Sequence, residues 1–178
     1  IKIMKNSNYM KKLLAVLIVF CFSGCKSSMD QQTLSKANVN ETLDAWHKAA
    51  AQANYNDYFS LMTDDAVFIG TDATENWDKT AFQAYAKPYF DKGKAWSFTA
   101  LERHIFFDKT GKTAWFDELL DTQMKICRGS GVLVKIGNQW KIQHYVLSMT
   151  IPNDNSNEVI KVKSALEDAM IKTLKSKQ

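Results

Sequence analysis

Trp96-Ser97-Phe98-Thr99-Ala100-Leu101-Glu102-Arg103-His104-Ile105-Phe106-Phe107 opens a run of strand-like segments that decides the fold. Aromatic and β-branched residues dominate it, and Asp108-Lys109-Thr110-Gly111 supplies a turn behind it. Segments 112–124, 126–136 and 139–151 repeat the pattern, the last two joined by Gly137-Asn138. Pro152-Asn153-Asp154-Asn155 ends the run. The expected product is a long antiparallel sheet.

Ahead of the sheet the apolar period changes to that of helices. Val39, Leu43, Trp46, Ala50 and Ala53 form one stripe on a helix beginning near Asn38 or Asn40. A short helix over Tyr58–Met62 leads into a strand over Ala66–Ile69. A third helix spans about Asp78–Phe90, with Pro88 expected to kink or end it. Beyond the sheet, Val159, Val162, Leu166, Met170 and Leu174 mark an amphipathic carboxy-terminal helix. Helices followed by a run of strands give an α+β class.

This order resembles the SnoaL-like, or nuclear transport factor two-like, family. The stretches Leu61-Met62-Thr63-Asp64-Asp65-Ala66-Val67-Phe68, Thr113-Ala114-Trp115-Phe116-Asp117-Glu118 and Trp140-Lys141-Ile142-Gln143-His144-Tyr145-Val146-Leu147-Ser148 are similar to its recurring segments. The resemblance covers residues 38–152. It implies a cone in which a curved antiparallel sheet wraps the amino-terminal helices around a pocket, with a homodimer as a common assembly. The carboxy-terminal helix, 153–178, lies outside the family pattern. Members include isomerases, dehydratases, cyclases and hydrolases, so fold does not fix chemistry.

Strand alternation narrows the site. If Phe107 pairs with Lys112, then Ile105 faces Ala114, Arg103 faces Phe116 and Leu101 faces Glu118. Leu101, Arg103, Ile105, Phe116, Glu118 and Leu120 then share an inward, mostly apolar face. Arg103 and Glu118 become diagonal neighbours. Burying either charge alone costs several kcal/mol. The two therefore form a structural pair, or a site in which Glu118 moves a proton and Arg103 holds an anionic group. The structural pair is the commoner outcome. With a two-residue Gly137-Asn138 turn, Leu133 faces Ile142, Gly131 faces His144, Gly129 faces Val146 and Cys127 faces Ser148. His144 therefore has room for a ligand and joins Glu118 and Arg103 as a candidate catalytic residue. A core histidine is the commoner outcome for such a position. Trp46, Tyr85, Phe116, Arg128 and Ser148 are the candidate ligand contacts. His47, beside the first helical stripe, is expected at the rim or surface.

Met10-Lys11-Lys12, an apolar run from Leu13 to Phe22 and Ser23-Gly24-Cys25 have the form of a secretory signal. The ending resembles a bacterial lipobox, with Phe22 where Leu is usual, and implies lipidation at Cys25. The expected organisation is a signal over 1–24, in which 1–9 read as an over-extended start, and a lipidated tether over 25–37. A cell-envelope location facing the periplasm follows, with the membrane as a partner through the lipid. The whole chain carries 23 basic and 19 acidic residues. The four lysines Lys2, Lys5, Lys11 and Lys12 account for the excess, so the segment after the signal is charge-balanced. Nucleic acid is an unfavoured partner on that ground. Cys127 would be the sole thiol left, and no zinc-ligand spacing occurs. The expected activity is proton transfer, of isomerase or dehydratase type, on a small apolar molecule without metal or nucleotide cofactor. The alternative is a non-enzymatic module that binds a ligand or protein.

Overall fold

A computed structural model describes residues 23–177. The elements run α1 (Ser23–Ala51), α2 (Tyr55–Ser60), β1 (Met62–Ile69), β2 (Asn76–Asp78), α3 (Lys79–Asp91), β3 (Thr99–Phe107), β4 (Thr113–Thr122), β5 (Lys125–Ile136), β6 (Gln139–Met149), a 3-10 turn (Asn153–Asn155) and α4 (Ser156–Lys175). Of the expected signal, residues 1–22 lie outside the described range. The polar stretch ahead of Asn38 is helical, and α1 begins at Ser23 rather than near Asn38. Polar side chains do not themselves break a helix.

The sheet has six strands in the order β2-β1-β6-β5-β4-β3. It is mixed rather than wholly antiparallel, because β1 runs parallel to β6. A parallel neighbour requires a crossover, and here α3 and strands β3 to β5 lie between the two in sequence. The three-residue strand β2, too short to show a pattern in sequence, pairs with β1 at one edge.

Helices α1 to α3 fill the concave side. The stripe of α1 is confirmed, with Val39, Leu43, Trp46 and Ala50 almost fully buried. Asn54 caps α2 by accepting from the Asp57 N–H at 3.2 Å. Asp78 caps α3 through the Ala81 N–H at 2.8 Å. Pro88 lies inside α3, which continues to Asp91. Aromatic rings bind these helices to the sheet. Phe68 of β1 stacks on Phe82 of α3 at 4.0 Å between centroids, and Trp46 meets Tyr145 of β6 edge-on at 4.7 Å.

Two bulges alter the expected registers. On β3, Ala100 pairs with Leu120 but Glu102 with Leu119, which leaves Leu101 as the extra residue. Leu101 is consequently exposed, against the expectation that it faces inward. The β3–β4 pairing is two residues from the expected one: Phe107 opposes Ala114, Ile105 opposes Phe116, and Arg103 opposes Glu118. A shift of two preserves the face, so Ile105, Phe116, Glu118 and Leu120 are inward as expected.

On β6 the two-residue turn and the Leu133–Ile142 pair hold. The next partners are Val132 and His144, so Gln143 is extra. A slip of one exchanges faces. Tyr145, not His144, lies opposite Gly131; Leu147 opposes Gly129; and Cys127 opposes Met149.

Candidate functional site

Glu118 sits at the centre of β4 with about 1% of its surface exposed. Four elements reach it. Arg103 of β3 donates its Nε–H to Oε2 at 2.8 Å. His47 of α1 places Nε2 2.8 Å from Oε1. Tyr145 of β6 donates its hydroxyl to the same oxygen at 3.2 Å. Gly129 of β5 supplies the space: a Cβ there would fall on the Tyr145 hydroxyl and lie 2.9 Å from Oε1. The glycine is required because the tyrosine and the carboxylate meet directly above it.

Arg103 extends the network to the helix. Its Nη1 donates to Asp44 at 2.8 Å and to the Asn40 side chain at 3.1 Å, both on α1. Its Nη2 is buried without a partner among the described residues. Burial pushes the Glu118 carboxyl up, but the hydrogen bond and charge of His47, with those of Arg103, outweigh it and hold the carboxyl below its ordinary 4.5. Glu118 is therefore a carboxylate at neutral pH and can only accept. It follows that Nε2 of His47 is a donor toward it. Burial above all, then the neighbouring carboxylate, pushes the Tyr145 phenol well above 10, so its proton stays on.

An oriented histidine backed by a carboxylate is suited to proton transfer. The acceptor anchors Nε2–H, which leaves Nδ1 as the atom through which the ring can exchange a proton. An aromatic cleft of about 170 Å³ is lined by Phe68, Trp77, Phe82, Tyr85, Trp96 and Phe98 with Met124 and Leu147 and the polar Thr71, Glu75 and Gln123; neither His47 nor Glu118 lines it. Phe98 connects the cleft to this pair, its ring 6.0 Å from that of His47. A roomier groove of about 610 Å³ runs between α1 and the start of β6. Its lining of Asn38, Glu41, Thr42, Asn138 and Gln139 is polar surface and includes none of the Glu118 partners.

The candidates from sequence separate accordingly. Glu118 and Arg103 come together, as direct partners rather than diagonal ones. His144 does not join them. It opposes Val132 on the outer face, because the Gln143 bulge turns Tyr145 inward in its place. Arg128 and Ser148 oppose each other and are exposed, also away from Glu118: Ser148 because of the same bulge, Arg128 because its neighbour Gly129 on the uninterrupted β5 is the residue opposite Glu118. Trp46 and Phe116 are core residues, and Tyr85 lines the mouth of the cleft. His47, expected at the rim, is buried. Its spacing carries the signal: it lies four residues after Leu43 and three before Ala50, within the width of the apolar stripe. Tyr145 and Gly129 are hidden from sequence reasoning by the bulge.

Residues 39–152 match the model of the SnoaL-like domain, and the chain belongs to that family. Solved structures share the fold. A candidate scytalone dehydratase from Novosphingobium aromaticivorans is 11% identical with a TM-score of 0.60, over 69% of this chain and 89% of its own. An NTF2-like protein of unknown function from Pseudomonas putida KT2440 is 15% identical with a TM-score of 0.57, over 69% and 92%. A candidate dehydratase of the NTF2-like family from Streptomyces avermitilis is 12% identical with a TM-score of 0.57, over 65% and 96%. Likeness at these identities is one of fold. No curated protein matches the sequence.

Proposed function

We propose that this SnoaL-like domain binds a small, largely apolar and ring-containing molecule in the aromatic cleft and moves a proton on it through His47, oriented by Glu118. The observation that carries this reading is the buried His47–Glu118 hydrogen bond of 2.8 Å, set one ring away from that cleft, behind Phe98. Two further groups support it. Trp46 Nε1 and the Tyr58 hydroxyl are buried without hydrogen-bond partners among the described residues. Tyr58 lies 5.6 Å from Trp96 and 6.1 Å from Phe82, ring to ring, and both of those rings line the cleft. Orphaned polar atoms inside a cone are what a bound molecule or water would satisfy. Arg103 then holds the carboxylate ionised rather than binding substrate. The names of the Novosphingobium and Streptomyces relatives are consistent with dehydration as the reaction type. The same proposal includes a lipid anchor at Cys25 and a cell-envelope location, supported by the signal-like segment.

The test separates binding from turnover. Binding of indole and of naphthalene is followed by NMR, and turnover by the ultraviolet absorbance of enones formed from β-hydroxy ketones or β,γ-unsaturated ketones. His47→Asn is expected to abolish turnover and leave binding within a few-fold. Turnover unchanged in that variant overturns the role of His47. The second reading, a binding module without catalysis, is favoured by the satisfaction of both Glu118 oxygens within the protein itself. Binding without turnover of any of these substrates selects it, and binding of neither probe overturns the aromatic cleft as the site.

A further inference from the structure

Glu75 takes no part in proton transfer through His47, yet it is the only charged residue lining the aromatic cleft. Its loop, 70–78, carries Asp72, Glu75 and Asp78 and no lysine, arginine or histidine. The loop holds the Glu75 side chain in place. Gly70 donates its N–H to the Glu75 carbonyl at 2.9 Å, and Glu75 donates its own to the Asp72 carbonyl at 3.0 Å. The Asp72 N–H returns to Glu75 Oε2 at 3.1 Å. The side chain folds over Gly70, where a Cβ would collide with that oxygen, so the close approach requires glycine. Asp72 and Asp78 accept from the backbone N–H groups of Thr74 and Ala81. Glu75 has one neutral donor and forms no ion pair among the described residues. Its charge is felt in the cleft: burial first, then Tyr89 and Glu75, push the Tyr85 phenol up to about 12. A half-buried carboxylate beside aromatic rings, without a counter-charge, is suited to a cation.

We infer that the molecule bound in the cleft carries a compact alkylated ammonium group, with its alkyl groups against the rings and its charge met by Glu75. The inference rests on the cleft being the binding site, and not on proton transfer by His47. Both halves of the lining suit such a group. Six aromatic rings offer apolar surface to the alkyl groups and negative π faces to the charge, which attract a cation within about 6 Å of a ring centroid. Glu75 adds a full opposite charge. A primary ammonium would give up water for rings that replace few of its hydrogen bonds, so alkylation favours entry. An anion would meet the carboxylate and the ring faces, and both repel it. Nearby cations do not compete for Glu75. Lys79 is bonded to Asp64 at 3.0 Å and to the Met62 carbonyl at 3.2 Å. Lys94 and Lys125, close in sequence to Trp96 and Met124, are exposed and do not line the cleft. Size also fits. At about 170 Å³ the cleft is below the roughly 300 Å³ of ordinary small-molecule sites, which suits a compact head group.

NMR titration of the full chain at fixed ionic strength tests it, with choline and with 3,3-dimethylbutan-1-ol, which has carbon in place of the charged nitrogen and the same shape. Choline is expected to bind at least tenfold more tightly than the alcohol and to shift the indole N–H signals of Trp77 and Trp96. Glu75→Gln is expected to weaken choline at least fivefold and the alcohol less than twofold, with unchanged far-ultraviolet circular dichroism. The wild-type comparison stands even if that variant fails to fold. Choline bound no more tightly than the alcohol overturns the inference, and overturns it alone if indole or naphthalene binds. A preference for choline that survives Glu75→Gln also overturns it, because the charge is then met elsewhere. Binding of none of the four probes overturns the cleft as a site, and the inference with it.

Discussion

Glu118 is the residue on which stability and chemistry meet. Its carboxylate is buried against one guanidinium and one imidazole, so removing it leaves Arg103 buried without that counter-charge. Glu118→Ala is expected to cost about 3–5 kcal/mol in urea unfolding. The pH dependence follows from the direction of its shift. A carboxyl held lower in the folded protein than in the unfolded chain contributes stability that is complete above its ordinary 4.5 and is lost as pH falls through the lowered folded value. The wild-type protein should therefore lose stability below about pH 4.5 more steeply than Glu118→Gln, as read from thermal midpoints across that range. Gly129→Ala tests the close approach above the carboxylate. About 1–3 kcal/mol of destabilisation is expected, and less in a Tyr145→Phe background, where the clashing hydroxyl is gone. The Glu118–Arg103 partnership was legible because two charges on an otherwise apolar face must find each other. Their third partner, His47, was legible in principle from its place in the α1 stripe, but a titratable residue next to a stripe reads equally well as its edge.

At the scale of elements, alternation predicted faces correctly wherever a strand ran without interruption, and failed at two inserted residues, Leu101 and Gln143. β4 is inward at Phe116, Glu118 and Leu120 even though the expected partner alignment was two residues away, since an even slip changes neighbours but not sides. On β6 the insertion of Gln143 is odd, and it exchanged His144 for Tyr145. Nothing in Ile142-Gln143-His144-Tyr145 announces a bulge: glycine is absent, and the cause is the contact with β1, which pairs in parallel and shifts register at the same place. That non-local contact is what the sequence could not display. Deleting Gln143 gives a direct check. In the shortened strand Ile142 points inward, His144 outward and Tyr145 inward, the same sides as now. The variant is expected to fold with Tyr145 still on Glu118, losing only about 1 kcal/mol with the 2.9 Å Gln143–Asp65 hydrogen bond. Tyr145→Phe should then cost the same in both backgrounds in urea unfolding; unequal costs would mean that the deletion had turned the strand over.

For the molecule as a whole, the cone is closed by charge at Glu118 and left open by aromatic rings at the cleft. The cleft is small beside the volume of about 300 Å³ or more of an ordinary small-molecule site. Its neighbours, however, include two buried polar atoms that the protein leaves unmet, on Trp46 and Tyr58. A protein selected for stability alone would gain by removing such groups, since a buried hydroxyl without a partner costs about 1–3 kcal/mol. Burial also pushes the Tyr58 phenol well above 10, against a smaller opposing effect of hydrogen bonding by the Trp96 side chain, whose approach falls short of a full hydrogen bond's geometry. The group inside the cone is therefore the neutral hydroxyl, able both to donate and to accept. Tyr58→Phe thus sets stability against function. The variant is expected to unfold at a higher urea concentration than the wild type, by about 1 kcal/mol, because the ring is kept and only the unmet hydroxyl is lost. If the cone holds a hydrogen-bonding guest, the same substitution should weaken binding of indole, which has an N–H, and leave binding of naphthalene, which has none, unchanged. Equal effects on the two probes would assign the hydroxyl to packing.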